Sequence, residues 1–142
     1  MKTLAKVGII TLISILGLQT YSLAQSALFV YKNENKGMGD YMCMRGMPNQ
    51  QEAEYLTKQK LQELVNDEQH IFKYTSTNGK GYGIVLKSSI KTEDGANLAI
   101  FGGALGCKSY KQAENLALAN LRKFNPEWKG KEYVVVLKFE DK

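Results

Sequence analysis

Residues 46–64 read GMPNQQEAEYLTKQKLQEL, and residues 106–124 read GCKSYKQAENLALANLRKF. Set sixty positions apart, the two stretches align. Gly46 meets Gly106, Asn49 meets Ser109, Glu52 meets Gln112, Ala53 meets Ala113, Leu56 meets Leu116 and Leu61 meets Leu121. Asn49-x-x-Glu52 and Ser109-x-x-Gln112 both have the form of a capping box, which satisfies orphan amides at a helix start. After each cap the apolar residues return at helical spacing: Ala53, Leu56, Leu61 and Leu64 in one stretch, Ala113, Leu116, Ala117, Leu121 and Phe124 in the other. Asn66-Asp67 and Asn125-Pro126 supply the stops. The pattern predicts two amphipathic helices of about four turns each.

Strand patterns surround both helices. Ala27–Lys32 and Tyr82–Lys87 precede them, followed by shorter runs at Tyr41–Met44 and Leu98–Phe101. Ile71–Thr75 and Tyr133–Phe139 come after. Asn33–Gly39 and Lys91–Gly95 carry hairpin chemistry, and Asn78-Gly79-Lys80-Gly81 joins the halves. Each half therefore reads strand–strand–helix–strand, with repeat one over about 26–77 and repeat two over about 82–140. A unit of about 55–60 residues is marginal alone, so a shared core is expected. The fold class is α+β: two pseudo-symmetric repeats in one mainly antiparallel sheet, with both helices on one face. The run Tyr133-Val134-Val135-Val136-Leu137 is apolar on both faces and is expected to form a central, covered strand.

Residues 1–24, MKTLAKVGIITLISILGLQTYSLA, have the layout of an export signal. Lys2 and Lys6 open it, an uncharged run from Val7 to Leu18 follows, and Ser22-Leu23-Ala24 offers a cleavage site. That run is shorter than the roughly 20 apolar residues needed to span a bilayer. The expectation is a single domain over 25–142, periplasmic or secreted, with no membrane insertion after cleavage.

The whole chain carries 19 Lys and Arg against 14 Asp and Glu, a net charge of +5. Without Lys2 and Lys6 the balance falls to +3, and the remaining lysines are scattered among acids. That scatter does not match a nucleic-acid-binding face. At 44% hydrophobic and 23% charged, the composition excludes wholesale disorder. Two cysteines and one histidine exclude a four-cysteine zinc site and any multi-histidine metal centre.

In the second half, Gly83-Ile84-Val85, the run Gln112-Ala113-Glu114-Asn115-Leu116-Ala117-Leu118-Ala119-Asn120 and Tyr133-Val134-Val135-Val136 carry a resemblance. Residues 82–139 resemble small exported bacterial domains of unknown function. Those domains have an opening strand, an Ala-rich helix with an "ALANC"-type ending and a valine-rich last strand. Leu121 stands where that family has a cysteine, and a second family cysteine before the last strand is also missing. The resemblance therefore implies the loss of one disulfide here, and it bears on topology rather than on activity.

Chemically, the densest stretch is Met38-Gly39-Asp40-Tyr41-Met42-Cys43-Met44-Arg45-Gly46-Met47. Thioethers and a thiolate are the ligands that select Cu(I), so Met38, Met42, Cys43, Met44 and Met47 form a candidate soft-metal set. Strand alternation opposes their convergence, and core packing is the competing use of the methionines. Cys43 and Cys107 sit near comparable strand–helix junctions, where export permits a disulfide between them and two buried free thiols acting as small hydrophobes are the other reading. Tyr110 and Trp128 lie at a helix start and in a loop, where exposed rings would suit contact with a partner, with packing against the core as the default use. His70 at a strand edge is read as a surface or capping residue rather than as half of a Cys–His pair. Gly102-Gly103-Ala104-Leu105-Gly106 is read as a bulge and turn. No acid, base, nucleophile or cofactor motif is complete. The expected function is therefore non-enzymatic binding of another protein, inhibitor- or immunity-like, with Cu(I) binding as the alternative.

Overall fold

The computed structural model describes residues 25–77 and 79–142. The expected export signal, residues 1–24, lies outside the described residues, as does Asn78 of the joining segment.

Both helices form where the caps place them. Helix α1 spans Gln50–Val65 and α2 spans Tyr110–Phe124. The Asn49 side chain accepts the Glu52 amide at 2.7 Å, and the Ser109 hydroxyl accepts the Gln112 amide at 3.1 Å. The return bond of the second box lands one residue early: the Gln112 side chain accepts the Lys108 amide at 2.7 Å. Asn66 ends α1 in the left-handed conformation, and the Asn125 side chain donates to the Leu121 carbonyl at the end of α2.

Six strands complete the α+β fold: β1 (Gln25–Asn33), β2 (Met38–Met47), β3 (Ile71–Thr77), β4 (Gly81–Lys91), β5 (Asn97–Cys107) and β6 (Val134–Asp141). They pair as two antiparallel three-stranded sheets, ordered β2-β1-β3 and β5-β4-β6. The register between β1 and β3 shifts between Leu28 and Phe29, and that between β4 and β6 shifts between Val85 and Leu86.

The expected single sheet with both helices on one face does not form, and alternation gives the reason. In β1, Ala27, Phe29 and Tyr31 pack with Ala53 and Leu61 of α1, whereas Leu28 and Val30 point the other way. In β4, Ile84 and Leu86 pack with Ala113 and Ala117 of α2, whereas Val85 points the other way. Each sheet is thus apolar on both faces. Its own helix covers one face, and the other is covered by the opposing sheet. Leu28, Val30, Val85, Phe101, Leu105 and Phe139 fill the space between the sheets. The layers run α1, first sheet, second sheet, α2.

The sheets approach closely at Gly39 and Ala99. A Cβ at Gly39 would run into the Ala99 carbonyl, so only glycine fits there. Tyr41 and Phe101 stack beside it, with ring centroids 5.0 Å apart.

A second expectation is overturned at β6. It is an edge strand rather than a central one, because β4, with Val85 and Leu86 fully buried, takes the middle position. Being apolar on both faces did not guarantee a strand neighbour on both edges.

Candidate functional site

β2 divides the expected soft-metal set. Met42 lies opposite Phe29 and Met44 opposite Ala27, so both face α1. Met42 and Met47 pack against the cluster of Ala53 and Leu61. Cys43 lies opposite Leu28 and faces the second sheet. Met38 is exposed at the far end of the strand. The five side chains therefore do not converge, since a sheet stands between the thiol and the thioethers. No group of three or more His, Cys, Asp or Glu side chains suited to a metal occurs among the described residues.

The cysteines are both free. Cys43 packs between the sheets, while Cys107 lies under α2 beside Ala113. Of the two readings of the cysteines, a Cys43–Cys107 bridge or two buried free thiols, the second describes them, with the second sheet lying between the thiols. Burial pushes the Cys43 thiol up to about 12, with Arg45 pulling down and Asp141 pushing up. Burial also raises the Cys107 thiol. At pH 8 both are protonated, and the thiolate is the reactive form. Native protein should therefore resist iodoacetamide, and protein unfolded without reductant should take up two carbamidomethyl groups, read by intact mass.

Trp128, a possible partner contact if exposed, instead packs on the core, buried against Leu98, Ile100 and Leu121. Its amide donates to the Asn125 carbonyl at 2.9 Å, a turn that folds the ring back onto the sheet. Tyr110 is half-buried, with its ring 4.5 Å from that of Tyr82 and the Lys138 ammonium 4.3 Å above it.

Two surfaces stand out instead. The first is a cleft of about 440 Å³ between the edge of β3 and the C-terminal end of α2, lined by Phe72, Tyr74, Phe101 and Phe124. Tyr74 ties its walls together: its hydroxyl donates to the Asn120 carbonyl at 3.0 Å and its ring lies 4.5 Å from that of Phe124. Phe72 and Phe124 are nevertheless 55% and 47% exposed.

A polar network on the α1 side of the first sheet is built around Asp67, just past the end of α1. Its carboxylate accepts the Gln69 amide at 2.8 Å, the Tyr31 hydroxyl at 2.8 Å and the Asn33 amide group at 3.4 Å. His70 Nδ1 lies 3.2 Å away. The Gln69 amide, then the Tyr31 hydroxyl, with lesser help from His70 and Asn33, hold the Asp67 carboxyl at about 2, below its ordinary 3.8. Burial, and then the hydrogen bond to Asp67, raise the Tyr31 hydroxyl. Being ionised, Asp67 can only accept, so the Nδ1 proton belongs to His70. His70 itself sits in the left-handed region at φ 63°, and its carbonyl accepts the Lys32 amide at 3.0 Å. The spacing Asp67-x-x-His70 after a helix stop was the signal for this network in the sequence.

The sign of the acid dependence follows. A lowered carboxyl stabilises the fold fully above about pH 4, and that stabilisation disappears as pH falls toward 2. Asp67→Asn should therefore lose stability at pH 7 and show a flatter acid-unfolding profile between about pH 4 and 2, read by denaturant midpoints at each pH.

The second surface is the β6 edge. Val134, Val135 and Val136 are 59%, 45% and 36% exposed in sequence on an unpaired strand edge. Edge strands are normally blunted with charge or cover, and here the charged residues flank the strip at Glu132 and Lys138. Comparison of the chain with protein-family models, with curated proteins and with solved structures gave no match.

Proposed function

We propose that this chain is a non-enzymatic recognition domain, exported from the cytoplasm, that binds another protein along β6. The observation that carries the reading is the valine strip. Three consecutive β-branched residues half exposed on a free edge are costly in water and gain by being covered. An extended segment of a partner laid along β6 would bury the strip and satisfy its outward backbone groups. The non-enzymatic reading is supported by the raised thiols of Cys43 and Cys107, which leave no ready thiolate nucleophile. Export is supported by the layout of residues 1–24.

The reading extends to the architecture: two equivalent modules related by a pseudo-twofold axis. The matching sheet orders, the matching bulges and φ of 66° at both Gly46 and Gly106 support it. So do the contacts of Gly39 with Ala99 and of Tyr41 with Phe101, each pairing positions sixty apart. An axis passing between β2 and β5 would produce those contacts.

The test is a photo-crosslinking residue at position 135, with position 58 on the exposed side of α1 as control, irradiated in the cells that make the protein. A discrete protein adduct is expected at 135 and not at 58, and it should vanish with Val134→Lys. That substitution should change stability by no more than about 0.5 kcal/mol, as for other exposed positions. Equal labelling at 58 and 135, or none at either, would count against the proposal.

A further inference from the structure

We propose that the hollow between the end of α2 and the loop leading into β6 binds a doubly charged tetrahedral oxyanion, a phosphate or sulfate group, which accepts from the Trp128 indole N–H and lies among Arg122, Lys129 and Lys131. This site is separate from the β6 edge and does not depend on it.

Trp128 supplies a fixed donor. Its ring is 6% exposed and held against Leu98, Ile100 and Leu121. A buried indole N–H ordinarily finds an acceptor. This one has none among the described residues, and it still touches solvent. Trp128 and Gly130 both line a hollow of about 430 Å³, together with Arg122, Pro126, Lys129 and Lys131. A Cβ at Gly130 would stand 2.8 Å from Nε1 and 3.4 Å from the adjoining ring carbon. The N–H edge of the ring is therefore the edge beside Gly130, at the wall of the hollow, and a glycine there leaves it uncovered.

The charges around this donor are cations. Arg122, Lys129 and Lys131 line the hollow, and none of them pairs with a carboxylate among the described residues. The neighbouring acids are engaged or turned elsewhere. The Lys32 ammonium takes Glu127, the Tyr133 hydroxyl donates to Glu114 at 2.8 Å, and Glu132 lines an adjacent surface with Lys87 and Ser88. The negative end of α2 accounts for Arg122 in its last turn, but that effect fades within one turn and leaves Lys129 and Lys131 without a use. Three like charges around an open donor repel one another, and a multiply charged anion relieves them. Direction narrows the class further. The Arg122 guanidinium lies over the face of the indole, 5.9 Å from the ring centroid, whereas the N–H points outward in the ring plane. Donors that do not share a plane suit a tetrahedral oxyanion better than a flat carboxylate.

The sequence has a single tryptophan, so the isotope-labelled chain gives one indole N–H peak in a two-dimensional NMR spectrum. The purified chain is titrated near neutral pH with sodium sulfate and sodium phosphate, against sodium acetate and sodium chloride at equal ionic strength. The indole peak is expected to move downfield and saturably with sulfate and phosphate, with acetate binding about fivefold or more weakly. Lys129→Gln and Lys131→Gln stand at exposed positions and should keep the fold. Each should weaken sulfate about twofold to fivefold, and the two together about tenfold. Gly130→Ala places a methyl over Nε1 and should weaken sulfate while leaving the indole peak to report it. The carrier of the group is read with phosphatidylcholine vesicles containing phosphatidic acid. Sedimentation with them that Gly130→Ala abolishes assigns the group to a lipid headgroup. No sedimentation, or sedimentation that Gly130→Ala leaves unchanged, assigns it to a soluble anion or ester. Acetate binding as tightly as sulfate, an indole peak that moves no further with sulfate than with chloride, or unchanged affinity in the double lysine variant would overturn the proposal.

Discussion

Alanine in place of Gly39 is expected to destabilise the protein by about 3 kcal/mol or more, at or beyond the upper end for overpacking. The added carbon points at the Ala99 carbonyl, which is backbone and cannot rotate away. Relief requires β2 and β5 to separate, and that opens the space filled by Leu28, Val85 and Phe101. Gly79→Ala is the control. The nearest atom to its Cβ would be the Thr77 hydroxyl at 3.8 Å, so it should change stability by at most about 1 kcal/mol, toward greater stability. Urea unfolding of both variants reads the difference. A Gly39→Ala protein as stable as Gly79→Ala would mean that the sheets do not meet there.

The second large effect is expected at Leu28, fully buried between the sheets. Leu28→Ala should cost about 2–5 kcal/mol, the usual range for a buried leucine that leaves a cavity. Its partner across the interface is Gly103 of β5, where a Cβ would run into the Leu28 side chain. Gly103→Ala alone should therefore cost about 1–3 kcal/mol by overpacking. With Leu28 shortened, the nearest remaining atoms are the Ile84 carbonyl at 3.2 Å and a Val85 methyl at 3.6 Å. The double variant should then be more stable than the sum of the two losses, by about 1 kcal/mol or more. Strict additivity would place the two residues out of contact.

Much of this architecture was legible in local chemistry. Asn49 and Ser109 cap the helices at the expected residues, and all six strands occur where alternation put them. Local signals do not report what covers the second face of a strand. Leu28 and Val85 are apolar in either a one-sheet or a two-sheet arrangement, so the stacking of the sheets was hidden. The same gap misplaced β6, where an apolar run reads alike at the edge and at the centre of a sheet. Residues 102–106 read as bulge and turn, and the β4–β5 register does shift there with Gly106 at φ 66°, but Gly102 and Gly103 lie within β5 at close approaches to α2 and β1 that only tertiary packing creates. Trp128 packs on the core because the turn at Asn125 folds it inward, and Cys43 and Cys107 lie apart because Cys43 on β2 faces the space between the sheets while Cys107 on β5 lies on the α2 side of the second sheet. The cleft was illegible for a related reason: Phe72 and Phe124 are far apart in sequence and meet only because the second sheet lies over the first.

The arrangement rests on sheets that stack and helices that lie outside them. The direct measurement is a spin-label distance between residues 59 and 119, on the outward sides of α1 and α2, with Cys43 and Cys107 replaced by alanine. Three layer spacings of about 10 Å each put the helix axes about 30 Å apart, so the outward labels should lie beyond about 30 Å. Helices side by side on one sheet would have axes about 10 Å apart and labels within about 20 Å, and that result would contradict the stacked arrangement.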